Sequence, residues 1–245
     1  MPAILLSLLG GAVSAALALC GLHWAVAGDD EMTAHPSCAC LDCPAMPRWI
    51  HPCRCVGFWR RIDPRALAVI AAGGAVVWFV AASKNPSVLL AAFEGLFLSA
   101  LLAIAVTDHA TFTIPDPLSL GMVGVGLARV LLPDGPAFLD VVLGAGFGFG
   151  LLWLIRVLGT AVFREEAMGI GDLRMMAMIG AFLGWQGTIL TLVVGSFFGT
   201  AVHLPRLRKA RTKIPFGTCL AVGAGTTSLY GSELIGWYVN VVIPS

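Results

Sequence analysis

Two carboxylates stand where they could act on water and a peptide bond. Asp108 lies in Ala105-Val106-Thr107-Asp108-His109, where one apolar run ends. Asp172 lies in Met168-Gly169-Ile170-Gly171-Asp172-Leu173-Arg174, where another begins. An ionisable residue at a membrane boundary is a functional candidate by default; the plainer role for each is a helix cap. Gly169 and Gly171 strip side chains from the turn before Asp172, so another helix or an extended substrate backbone could approach the carboxylate. They are the candidate substrate-binding residues on that turn. If the two carboxylates meet, both cannot easily ionise, and one keeps a proton. The charged member can then take a proton from water while the protonated one polarises a carbonyl. Such a pair titrates as a unit and needs no Ser, Cys or metal nucleophile.

The elements that must position this pair follow from composition. Of 245 residues, 58% are hydrophobic and only 12% are charged, against about 25% in soluble domains. The bilayer is the solvent that fits. A net charge of +1 gives no reason to expect a nucleic-acid partner. With spans of about 20 apolar residues, the sequence predicts an all-α membrane protein, a bundle of about eight transmembrane helices. These lie near 3–27, 66–82, 88–106, 118–132, 138–158, 173–187, 188–204 and 216–241. The sixth and seventh are parted only by Gly184-Trp185-Gln186-Gly187 and read as a tight helical hairpin. The 29 glycines favour closely packed helices in lipid. The predicted organisation is a first helix over 1–27, a small Cys-rich cytoplasmic loop over 28–65, and a seven-helix domain over 66–245. The first segment has no basic residue before Arg48 and is expected to stay as a span rather than be cleaved as a signal peptide.

Basic residues orient the bundle. The 28–65 loop, the connection before Asp172 and the 205–215 connection fall on one side, which collects 13 of the 15 Lys and Arg. That side is expected in the cytoplasm, and both aspartates fall on it. Glu165 and Glu166, just before the Asp172 turn, could attract a basic substrate segment, or be solvated loop acids. Glu94 lies inside the third span and needs a partner within the bundle.

These residues carry a resemblance. Asp108-His-Ala-Thr-Phe-Thr-Ile-Pro-Asp116 resembles the first aspartate motif of bacterial prepilin peptidases. Gly169-Ile-Gly-Asp-Leu-Arg174, continuing to Gly180-Ala-Phe-Leu-Gly-Trp185, resembles their second, and Pro215-Phe-Gly217 a further recurrent segment. The resemblance runs from about residue 66 to the C-terminus. It implies a type IV leader peptidase, an aspartic membrane protease of the inner membrane that removes the basic leader from prepilins or type II secretion pseudopilins at the cytoplasmic face. It implies Asp108 and Asp172 as the catalytic pair, with Asp116 in the motif but not catalytic. Arg174 stands where Lys is usual and Thr218 where Pro is frequent, and neither is expected to touch the two aspartates.

Many members of that family carry two CxxC pairs in the loop after the first helix. Here the spacing is Cys38-x-Cys40-x2-Cys43-x9-Cys53-x-Cys55. Thiolates of Cys40, Cys43, Cys53 and Cys55 could surround zinc tetrahedrally, with Cys38, His35 or His51 in reserve; redox-active or free thiols are the alternative. Many relatives also N-methylate the new N-terminus with S-adenosylmethionine, but the usual segment after the first span is not found here. A reading from another class is a small ion-coupled transporter or proton channel with Asp108, Asp172 and Glu94 as a relay. That would call for inverted repeats and helices broken at mid-membrane, and the sequence shows no convincing repeat. A GxGD protease with another substrate shares the chemistry.

Overall fold

Apolar segments in lipid must satisfy their own backbone polar groups, which restricts a chain without strand alternation to helices. The computed structural model describes residues 2–28, 64–85, 87–164, 168–207 and 215–242. Among these the regular elements are seven α-helices and one 3-10 turn. They are α1 (Pro2–Gly28), α2 (Pro64–Lys84), α3 (Val88–Thr111), α4 (Asp116–Ala128), the 3-10 turn Arg129–Leu131, α5 (Phe138–Phe163), α6 (Ile170–Leu207) and α7 (Phe216–Val242). Five of them, α1, α2, α3, α5 and α6, are long and apolar enough to cross a membrane. The chain is a multi-pass α-helical membrane protein. Residues 29–63, most of the expected 28–65 loop, lie outside the described residues.

The helix count is one below the expected eight, and the difference has a physical cause. The expected 173–187 and 188–204 spans fall within the single element α6, which loses helical geometry at Gly184 (φ 68, ψ −175). Only glycine adopts such a backbone without strain. The two arms of α6 pack on different neighbours. In the first arm, Met176 and Gly180 face Gly148 and Gly144 of α5. In the second, Gly187 faces Thr227 and Gly199 faces Cys219 of α7. Both pairings run antiparallel, and α7 starts beside Asp108. The second arm therefore comes back toward the end of the bundle from which the first departed. The expected 118–132 span is also shorter than its ruler. α4 has 13 residues, or about 20 Å, against about 30 Å of hydrocarbon.

The first arm of α6 is the centre of the bundle. Leu173, Met175, Met176, Met178 and Ile179 are all at most 2% exposed, as expected of a helix apolar all round. Packing against it relies on absent side chains, because small residues let helices approach closely in lipid. A Cβ on Gly144 would overlap the carbonyl of Gly180, and one on Gly148 the carbonyl of Met176.

α1, α2 and α3 are joined by a buried polar knot. Trp78 Nε1 donates to Ser99 Oγ at 2.7 Å, and Ser99 donates to the Gly95 carbonyl at 2.7 Å. With its one proton committed, Ser99 accepts from Ser14 Oγ at 2.8 Å. The Trp78 indole fits only because Gly10 and Gly95 flank it. Away from the aspartates, Glu94 finds the partners its position required: Asn85 and Ser228 both donate to its carboxylate. Arg129 donates to the Phe182 carbonyl at 3.0 Å, closing the C-terminal end of the first α6 arm.

Gly144→Val should separate α5 from α6 and lower stability by about 1–3 kcal/mol or more. Gly146 meets nothing within 4 Å on the same helix, so Gly146→Val should stay within about 0.5 kcal/mol of wild type. Thermal unfolding of the purified protein in detergent checks both; equal losses would show that the Gly144–Gly180 approach is not a constraint.

Candidate functional site

Asp108 sits in the last turn of α3 and is 4% exposed. The helix ends when Phe112 turns left-handed (φ 54) and its amide bonds the Asp108 carbonyl at 2.8 Å. The chain then reverses through Thr113, Ile114 and Pro115. Pro115 is extended (φ −67, ψ 112), and α4 begins at Asp116.

This short strap is clamped by two glycines. Ile114 is 7% exposed. A Cβ on Gly171 would lie 3.0 Å from Ile114 Cβ, and one on Gly217 would lie 2.8 Å from Ile114 Cδ1. The space left by the missing side chain of Gly171 is thus filled by Ile114. A Cβ on Gly217 would also lie 3.0 Å from Asp108 Cγ. The bare Gly217 lets α7 come up against the carboxylate.

That approach supplies the donors. The Thr218 amide donates to Asp108 Oδ2 at 2.7 Å, and Thr218 Oγ1 lies 3.1 Å from the same oxygen. The expectation that Thr218 would not touch the aspartates is therefore corrected. A residue 110 positions away in sequence reaches Asp108 because the first turn of α7 leaves its amides without partners in the helix.

Asp172 lies in the first turn of α6 and is half-buried. Its carboxylate lies beside Gly169, where an added Cβ would sit 3.6 Å from Asp172 Oδ2. Both aspartates line one open pocket of about 270 Å³, together with Gly169, Gly171, Asp116 and Arg174. Arg174 pairs with Asp116 across the mouth. This joins the start of the second turn of α6 to the first turn of α4. The pair is about a third exposed (33% and 35%), so it is worth at most about 1 kcal/mol and acts as a positional tie.

Glu165, Glu166, Cys40, Cys43, Cys53 and Cys55, like Cys38, His35 and His51, lie outside the described residues. Among the described residues there is no group of three His, Cys, Asp or Glu side chains that could hold a metal ion. The structure adds Thr218, Ile114 and Gly217 to the site. The segments Pro215-Phe-Gly217 and Ile114-Pro115-Asp116 were visible in the sequence, but nothing local said that one would pack on the other.

Ile114→Ala should leave a cavity between Gly171 and Gly217 and cost about 2–5 kcal/mol. Thermal unfolding in detergent measures it. A loss below about 1 kcal/mol would mean that the strap is not held by this side chain.

Comparison with known proteins points to one family. Residues 95–204 match the type IV leader peptidase family. The chain is 32% identical over 147 residues to a prepilin leader peptidase/N-methyltransferase of Aeromonas salmonicida, covering 58% of this chain and 50% of that protein. It is 32% identical over 178 residues to the protein of that name from Pseudomonas aeruginosa, covering 71% of this chain and 60% of the relative. The Burkholderia pseudomallei relative is 33% identical over 165 residues, with 66% and 53% covered. The chain thus spans about half to three-fifths of the length of these curated relatives. No solved structure matches it. The stretch similar to the type IV leader peptidase family, residues 95–204, holds both aspartates and the Gly184 turn.

Proposed function

We propose that this protein is a membrane aspartic endopeptidase that removes the basic leader from type IV prepilins or type II secretion pseudopilins. The observation that carries the reading is that Asp108 and Asp172 line one pocket at one end of the bundle. The family match over 95–204 and the relatives' name support the substrate class.

In the proposed reaction the ionised carboxylate takes a proton from water as the water oxygen attacks the scissile carbonyl carbon. The protonated carboxyl gives its proton to the carbonyl oxygen. The resulting tetrahedral diol collapses with the C–N bond, and a proton passes to the leaving amine. No covalent intermediate forms. The pocket opens beside Gly169, whose missing side chain leaves room for an extended backbone next to Asp172. Gly171 is proposed to act less directly, by admitting Ile114 and setting the pocket floor.

The proposed setting is the bacterial inner membrane with the pocket toward the cytoplasm, supported by the bias of basic residues to the connections on that side. There Glu165 and Glu166 would draw a basic leader toward Asp172. Zinc binding by Cys40, Cys43, Cys53 and Cys55 rests on their spacing alone. The relatives' name includes N-methyltransferase. The described residues offer no side-chain set that singles out an S-adenosylmethionine site, so no step is assigned to that cofactor.

Co-expression with a prepilin and mass spectrometry of the product tests the reading. Wild type should yield a product cut just before the hydrophobic segment. Asp108→Asn and Asp172→Asn should each insert normally and lose at least about 10²–10⁴-fold in rate. An added methyl mass would report the second activity. Undiminished cleavage by either variant would remove that aspartate from the chemistry. No cleavage of several prepilins by well-folded wild type would favour another GxGD substrate or ion-coupled transport.

A further inference from the structure

The two carboxylates are not held alike, and that difference assigns their roles if the proposed peptidase reading stands. Asp108 Oδ2 receives the Thr218 amide at 2.7 Å. An amide can only donate, and this one lies in the first turn of α7, where no carbonyl of its own helix can take it. The Thr218 hydroxyl is 3.1 Å from Oδ2 and 3.2 Å from the Ala105 carbonyl. It has one proton, and an ionised Oδ2 is the stronger acceptor of the two. The N-terminal end of α7, the positive end of its dipole, thus abuts the Asp108 carboxylate. Asp172 has a different environment: among the described residues no other helix donates to its carboxylate, and its neighbours are Gly169 and, across the shared pocket, Asp108.

The other charged and titratable groups around Asp108 do not reverse this. His109 adjoins it on α3, and Cys219 follows Thr218 on α7. Asp172 and Arg174 on α6 and Asp116 on α4 share its pocket. Arg174 is already paired with Asp116.

We infer that Thr218 is a positioning residue that favours the ionised form of Asp108 as the base, leaving the shared proton on Asp172 to polarise the carbonyl. Thr218 touches no reacting atom in this scheme. It acts through Asp108, by preferring the charged form of that carboxylate. Hydrogen bonds to a charged form favour that form. Removing them therefore raises the pH at which the base becomes active.

The test measures kcat/KM against pH on a prepilin substrate for wild type, Thr218→Ser, Thr218→Val and Thr218→Pro. Serine keeps both donors, valine keeps the amide, and proline removes both at a first-turn position where it is tolerated. The acid limb should stay in place for Thr218→Ser. It should move up by about one pH unit for Thr218→Val and about two for Thr218→Pro, with rates recovering toward wild type at high pH. A purely structural role would lower the plateau and leave the limb unmoved; that result in Thr218→Pro overturns the inference. A second readout needs no turnover. The protonated-carboxyl infrared band of the full-length protein in detergent, assigned by its loss in Asp108→Asn, should appear at higher pH in Thr218→Val than in wild type. An unmoved band in both Thr218→Val and Thr218→Pro also overturns it. Wild type that cleaves no prepilin, yet shows the shifted band, would remove the peptidase reading and leave the Asp108–Thr218 assignment standing.

Discussion

A carboxylate taken almost wholly out of water must be satisfied by the protein, and Asp108 imposes that demand on everything around it. At 4% exposure it cannot rely on solvent. Its own helix has no free amides at that end, because α3 is finishing there. The donors come from the start of another helix, α7, where unpaired amides are available. That requirement fixes where α7 begins relative to where α3 ends. It also explains why Gly217 precedes Thr218, since a side chain there would meet both Asp108 and Ile114.

Glycines make the remaining approaches possible, each by a different route. Gly171 and Gly217 leave room for Ile114, which fastens the α3–α4 strap against α6 and α7. Gly144 and Gly148 admit α5 to the backbone of the central arm of α6. Gly184 ends that arm by adopting a conformation that other residues avoid, and the chain returns along α7. In lipid, apolar side chains gain little by leaving the solvent for one another. Close backbone contact and buried hydrogen bonds carry helix association instead. The knot of Ser14, Ser99 and Trp78 serves the first three helices in the same way.

The far end of the bundle follows the same rule with charged groups. Glu94 is bound by Asn85 and Ser228, joining α2, α3 and α7. Arg129 holds the carbonyl of Phe182, whose ring stacks on Phe97 at 4.4 Å. These contacts anchor the ends of the helices opposite those that present the two aspartates. The first arm of α6 is thereby held at both ends, by Arg129 at one and by the Arg174–Asp116 tie at the other.

Hydrophobicity and charge are properties of short windows, and what depends on them was legible in the sequence. The apolar runs, the helical class, the break at Gly184 and the placing of both aspartates at helix ends on one side all came from such windows. The count of elements did not, because two arms joined by one non-helical glycine form a single continuous element in space. Nor could local patterning show that Thr218 would serve Asp108, that Ile114 would occupy the gap beside Gly171, or that Arg174 would pair with Asp116. Those contacts link residues 57 to 110 positions apart. The sequence by itself determined which groups could do chemistry and that both lie at helix ends. Only the tertiary structure decided which donors reach each carboxylate, because a hydrogen bond is settled by where two helix ends meet.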